Sequence, residues 1–286
     1  SIVNECFFRN ICHFSEFDFP GIVKILGVRF PLTEDEKRNQ PRLIKEFQLP
    51  KNKVEKFDFS GFLYVSEYMP YNLQALTNEY FKNWRRSEIL NPTVLSKIIF
   101  GVAATMKRVH AVNFFHGNLR LDNIYLDENY EPRIADFQVT CFFLLGSSNW
   151  NMLPRSIAQC EPPEIFMYGP NFVDYVTYAE KCDVYAYAFL IYSMFTNNLE
   201  FDGKKPIRTT FAFMREIERG CRPKHIGLIP EQYWELIRRC WDNNPEDRPS
   251  FEEITQLLRS DDFAIRETDL NELHEYWDRI DPVDNH

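Results

Sequence analysis

The chain has 286 residues, 44% hydrophobic and 26% charged, which is enough apolar content for one large domain or two lobes and too much for a disordered chain. Its 42 acids against 33 bases give a net charge of −9, which excludes the basic footprint of a general nucleic-acid binder. The longest apolar stretch, 186–195, is about half of what a bilayer span needs, so a membrane-spanning protein is excluded too.

In chain order, Phe7, Phe8, Ile11, Phe14 and Phe17 predict a helix that Pro20-Gly21 ends. Residues 22–28 and 61–69 are short and β-branched and read as strands, with a charged, proline-containing insertion at 31–60 between them. Asn91-Pro92-Thr93 supplies a cap and a first-turn proline, and Leu95, Ile98, Ile99, Val102, Ala103 and Met106 then repeat at three and four, predicting a long one-sided helix. Residues 123–126 and 133–136 read as a hairpin, and 183–196 as a helix apolar nearly all round and therefore central. Helical patterns follow at about 208–219, 230–241 and 250–259. In the acidic tail, Leu270, Leu273, Trp277 and Ile280 form a stripe expected to dock back on the helical lobe, the alternative being a free helix that a partner protein takes into a groove. Few strands first and many helices after predict an α+β chain of two lobes: a partial small lobe at 1–69, a helical lobe at 70–260 and a helical tail at 261–286.

The glycines cannot be arranged as G-x-G-x-x-G or G-x-x-x-x-G-K-[ST], so no phosphate-cradling loop is encoded here. His110 and His116 have no further His or Cys at metal-ligand spacing, and no serine stands in a G-x-S-x-G elbow. The seven cysteines are odd in number, widely spaced and free of C-x-x-C, which points to a reducing, cytoplasmic setting and away from a disulfide framework. No signal-peptide pattern follows Ser1.

His116-Gly-Asn-Leu-Arg-Leu-Asp-Asn123, then Asp136-Phe137-Gln138, then Pro162-Pro163-Glu164, resembles the eukaryotic protein kinases, in which H-R-D-L-x-x-x-N, D-F-G and A-P-E occur in this order. The likeness covers nearly the whole chain. Residues 7–27 resemble the family's αC helix and the strand after it, 66–69 its gatekeeper and hinge, and 183–187 the start of its central helix. Gly220-Cys-Arg-Pro223, Cys240-Trp241 and Asn244-Pro-Glu-Asp-Arg-Pro249 are similar to the tyrosine-kinase and tyrosine-kinase-like groups.

The resemblance implies a two-lobed kinase fold, with a buried Glu164–Arg248 ion pair and a packed spine of Ile25, Phe14, Phe137 and His116 anchored by Asp183. It makes Asn123 and Asp136 the magnesium ligands. Glu67, Met69, Tyr125 and Asn123 would line the nucleotide site, and Arg120 would stand for the catalytic-loop lysine. It also exposes departures. Asn118 occupies the position of the catalytic aspartate, Asn10 that of the αC glutamate, Gln138 that of the D-F-G glycine, Tyr125 that of the adenine-floor leucine and Gly117 that of the loop arginine, while the glycine loop and its lysine are not in this chain. The implied function is that of a pseudokinase, a cytoplasmic signalling module that binds or scaffolds other proteins, with ATP and Mg2+ bound weakly or not at all. The alternative is a divergent Ser/Thr or Tyr kinase whose ATP-binding segment lies outside this chain.

Overall fold

A computed structural model of the chain describes residues 19–29, 63–137, 160–164, 172–196 and 210–282. They fall into two compact units. The first contains β1 (Ile25–Arg29) and β2 (Leu63–Ser66), paired antiparallel with a bulge between Ile25 and Gly27. The predicted helix at 7–19 and the insertion at 31–60 lie outside the described residues, apart from Phe19.

The second unit takes residues 19–22 and everything from Met69 onward. It opens with β3 (Tyr71–Asn72) and α1 (Leu73–Lys82). Next comes α2 (Pro92–Ala111), started as the sequence predicts: the Asn91 side chain accepts the Val94 N–H at 2.9 Å and Pro92 takes the first turn. β4 (Ile124–Leu126) and β5 (Pro132–Ile134) form the expected hairpin, and β3 adds a third strand that the sequence analysis lacks. The order is β3-β4-β5, with Tyr71 opposite Leu126 and Ile124 opposite Ile134.

The core lies where α2 and α3 (Phe172–Thr196) meet the later helices. α3 starts well before the predicted 183, and its stretch from Val184 to Tyr192 is buried. The buried Tyr187 hydroxyl is satisfied within the core, donating to the Ile99 carbonyl of α2 at 2.7 Å. Then follow α4 (Thr210–Glu218), α5 (Glu231–Cys240) and α6 (Phe251–Leu258), within a residue or two of the expected bounds. α6 has a complete capping box, with Ser250 and Glu253 bonding each other's backbone N–H. It packs on α2, while α5 packs on α3, where Trp241 and Phe189 lie 5.3 Å apart.

The tail docks. α7 (Leu270–Ile280) lies against α2 with Leu273, Tyr276, Trp277 and Ile280 buried. Leu270 corrects the predicted stripe: as the first residue after the Asp269 cap it is 38% exposed, and Tyr276 takes the fourth buried position. Each such side chain removed from water contributes roughly 1.5–3 kcal/mol, which explains why an acidic segment folds back on an acidic chain. No described helix is long and apolar enough to cross a membrane.

Candidate functional site

One buried carboxylate organises the loop at 116–123. Asp183 of α3 accepts the backbone N–H groups of His116 at 2.7 Å and Gly117 at 2.8 Å, and a ring nitrogen of His110 lies 3.0 Å from it. Gly117 has φ 71°, a left-handed conformation that glycine adopts without steric cost, and it turns the chain from the Asp183 carboxylate towards Asn118.

His116 is fully buried. The Asn118 N–H donates to its Nδ1 at 3.0 Å, so that nitrogen is unprotonated, and the ring proton sits on Nε2, 2.9 Å from the Ala135 carbonyl oxygen. Burial pushes the imidazole below its usual value against the pull of Asp183, in keeping with a neutral ring. Phe137 packs on it with ring centroids 4.5 Å apart. Phe137, His116 and Asp183 thus stand in sequence as the predicted spine requires. Phe14, Asn10 and Gln138 lie outside the described residues, and Ile25 belongs to the first unit.

Asn118 uses its backbone on both sides, since its carbonyl accepts the Asn123 Nδ2–H at 2.8 Å. Asn123 closes a short 3-10 turn (Leu121–Asn123), and its carbonyl accepts the Ala135 N–H at 2.9 Å. It is therefore tied to the residue just before Asp136, which holds φ 58°. Arg120 pairs with Asp122 within the same loop. Tyr125 is half-buried on β4, opposite Asn72 and Arg133. Met69 precedes β3 in the same unit. Six of the seven predicted site residues therefore belong to the second unit; Glu67 belongs to the first, where its carboxylate accepts the Lys24 N–H at 2.7 Å. The Asn123 amide nitrogen is thus engaged within the loop, and Asp136 follows directly on the residue that Asn123 holds through its carbonyl.

Residues 3–258 match the family of protein tyrosine and serine/threonine kinases. The chain belongs to this family. It is 27% identical over 195 residues to a probable serine/threonine-protein kinase of Dictyostelium discoideum, covering 68% of this chain and 14% of that protein. It is 26% identical over 180 residues to serine/threonine-protein kinase STY17 of Arabidopsis thaliana, covering 63% and 29%. To serine/threonine/tyrosine-protein kinase HT1 of the same plant it is 25% identical over 212 residues, covering 71% and 48%. The chain spans less than half the length of each of these curated relatives.

Kinase domains bind ATP and Mg2+ as a family. In this one, two residues beside the loop escaped the sequence analysis. Asn72 accepts the Ala75 N–H at 3.2 Å, capping α1, and donates from Nδ2 to the Asp122 carbonyl at 2.7 Å, so one side chain ties the helix to the kinase loop. An asparagine directly ahead of Leu73 and Leu76 was the available signal. Glu161 is buried, and its carboxyl is pushed up to about 8, first by burial and then by the charges of Asp183 and Glu164, with Arg120 acting in the opposite direction. Nothing in the local pattern marks it, because its neighbours come from segments distant in sequence.

Proposed function

We propose that this chain is a degenerate kinase domain of the tyrosine-kinase-like group, a pseudokinase that binds or scaffolds other proteins. Asn118 carries the reading. A neutral amide has no basic lone pair near pH 7, so it does not accept the proton of a substrate hydroxyl. A general base contributes typically about 10²–10⁴-fold, or about 3–5 kcal/mol of barrier. The backbone N–H and carbonyl of Asn118 still hold the loop together, so the substitution removes the base and leaves the frame.

In this reading residues 1–69 are a partial small lobe, 70–260 the helical lobe and 261–286 the tail. Asn123 and Asp136 are the oxygen donors for Mg2+, which when bound neutralises phosphate charge. Arg120 fills the place of the catalytic-loop lysine, and Glu67, Met69 and Tyr125 line the nucleotide pocket, whose floor the phenol of Tyr125 crowds. Nucleotide affinity is weak or absent, and the setting is cytoplasmic. The rival reading, a divergent protein kinase whose ATP-binding segment lies elsewhere, rests on the same two retained donors; it requires turnover without a carboxylate at position 118. Phosphoryl transfer from labelled ATP separates the two, with Asn118→Asp as a second arm: the pseudokinase reading expects background from both chains.

A further inference from the structure

The β4–β5 hairpin carries Asn123 at the start of one strand and Asp136 just beyond the end of the other. It is short, with three facing pairs: Ile124 with Ile134, Tyr125 with Arg133, and Leu126 with Pro132. Even with the two-residue β3 paired to β4, a sheet this small has little rigidity of its own. Its turn end is gripped from outside. Glu131, buried in the turn, has its own N–H held by Asp127 at 3.0 Å, and its carboxylate receives both terminal nitrogens of Arg279 on α7, one of them at 3.0 Å.

The next residue, Pro132, is held in the same way. Gly101 of α2 leaves a notch that the Tyr276 hydroxyl and the Pro132 ring fill from opposite elements; a Cβ there would collide with the first and lie 2.7 Å from the second. Arg279 also lies over the Tyr276 ring at 5.4 Å. The helix itself is fastened independently of the hairpin. Lys97 pairs with Glu272, Lys107 takes both oxygens of Asp281 at 3.0 and 3.1 Å, and Arg108 donates to the Ile280 carbonyl. A helix anchored on α2 therefore presents one cation to a buried carboxylate of the hairpin.

We infer that α7, which lies beyond the part of the chain matched to the kinase family, is a clamp on the hairpin, and that Arg279 is a positioning residue that limits the motion of Asn123 and Asp136. The distance makes this effective: from Pro132 to Asp136 is four residues of extended chain, roughly 13 Å. Releasing Arg279 leaves Glu131 buried without its cation, so the turn opens to hydrate it. The strand ends then lose their fixed spacing, while α2, α3 and α6 keep their own packing. The inference does not depend on whether the site binds nucleotide.

Amide exchange followed by mass spectrometry on the whole chain tests it. Arg279→Glu is expected to speed exchange across 124–134 about tenfold or more, with exchange in 183–196 changed by less than about twofold. The double reversal Arg279→Glu with Glu131→Arg is expected to restore most of the hairpin's protection, which a loss of general packing would not allow. Arg279→Gln serves as the milder variant should the reversal fail to fold, with the same direction and a smaller effect. Unchanged hairpin exchange, equal acceleration in 183–196, or no rescue by the double reversal would each overturn the inference.

Discussion

Arg248 reaches across 84 residues to grip Glu164 with both terminal nitrogens, at 2.5 and 2.8 Å, and its side chain has no exposed surface. Two further donors are used as well: Nε bonds the Asp242 carbonyl at 2.9 Å and Nη1 the Lys181 carbonyl at 3.0 Å. Removing one member of a buried pair leaves the other charge uncompensated, which costs about 3–5 kcal/mol. Arg248→Met is therefore expected to lower unfolding stability by that amount in urea titrations. A loss below about 1 kcal/mol would place the pair with ordinary surface ion pairs.

Stability should also depend on pH through Glu161. The folded chain keeps the Glu161 proton up to about pH 8, whereas the unfolded chain releases it near the usual 4.5. Between those values the folded state holds the extra proton, so stability falls as pH rises and levels off beyond about 8. His116 acts in reverse: its depressed value favours the unfolded, protonated chain only below its usual 6.5, so above that pH it contributes no slope. From pH 6.5 to 8, each unit should cost up to about 1.4 kcal/mol, and Glu161→Gln should flatten the decline. Equal slopes for both chains in denaturant titrations would remove Glu161 from the account.

Gly101→Ala sets two effects against each other. Alanine is favoured over glycine inside a helix by about 0.5–1 kcal/mol. Against this, its Cβ collides with the Tyr276 hydroxyl and the Pro132 ring. Overpacking typically costs about 1–3 kcal/mol, so the substitution should destabilise the chain, and Tyr276→Phe added to it should recover part of the loss. A rise in melting temperature on Gly101→Ala would mean that α7 is not seated on α2 as described.

Much of this was legible in advance where the signal is local. Asn91-Pro92 announced α2, because a side-chain cap and a proline act within one turn. The loop motif and the hairpin expected at 123–126 and 133–136 put Asn118, Asn123 and Asp136 on one short stretch. β3 was not legible, since two residues carry no periodicity. α1 was passed over although Asn72 caps it. Leu270 was misjudged because a stripe on a helical wheel does not say where the helix leaves the surface. Arg279 and Glu131 lie 148 residues apart, and no local pattern pairs them.

Mg2+-ATP should leave the melting temperature unchanged at millimolar concentration. Ligand-linked stabilisation reaches about 2.7 kcal/mol at a hundredfold excess over Kd, so a site that binds in the micromolar range could not escape detection. A clear upward shift, abolished by Asp136→Ala, would show that Asn123 and Asp136 still hold metal and nucleotide.

The proposed loss of the catalytic base at position 118 is tested most directly by incubating the purified chain with radiolabelled ATP, Mg2+ and generic protein substrates, beside an Asp136→Ala control. Label incorporation into the substrates and into the chain itself should stay at the level of the control. Incorporation that proceeds with the native chain and disappears with Asp136→Ala would contradict the pseudokinase reading.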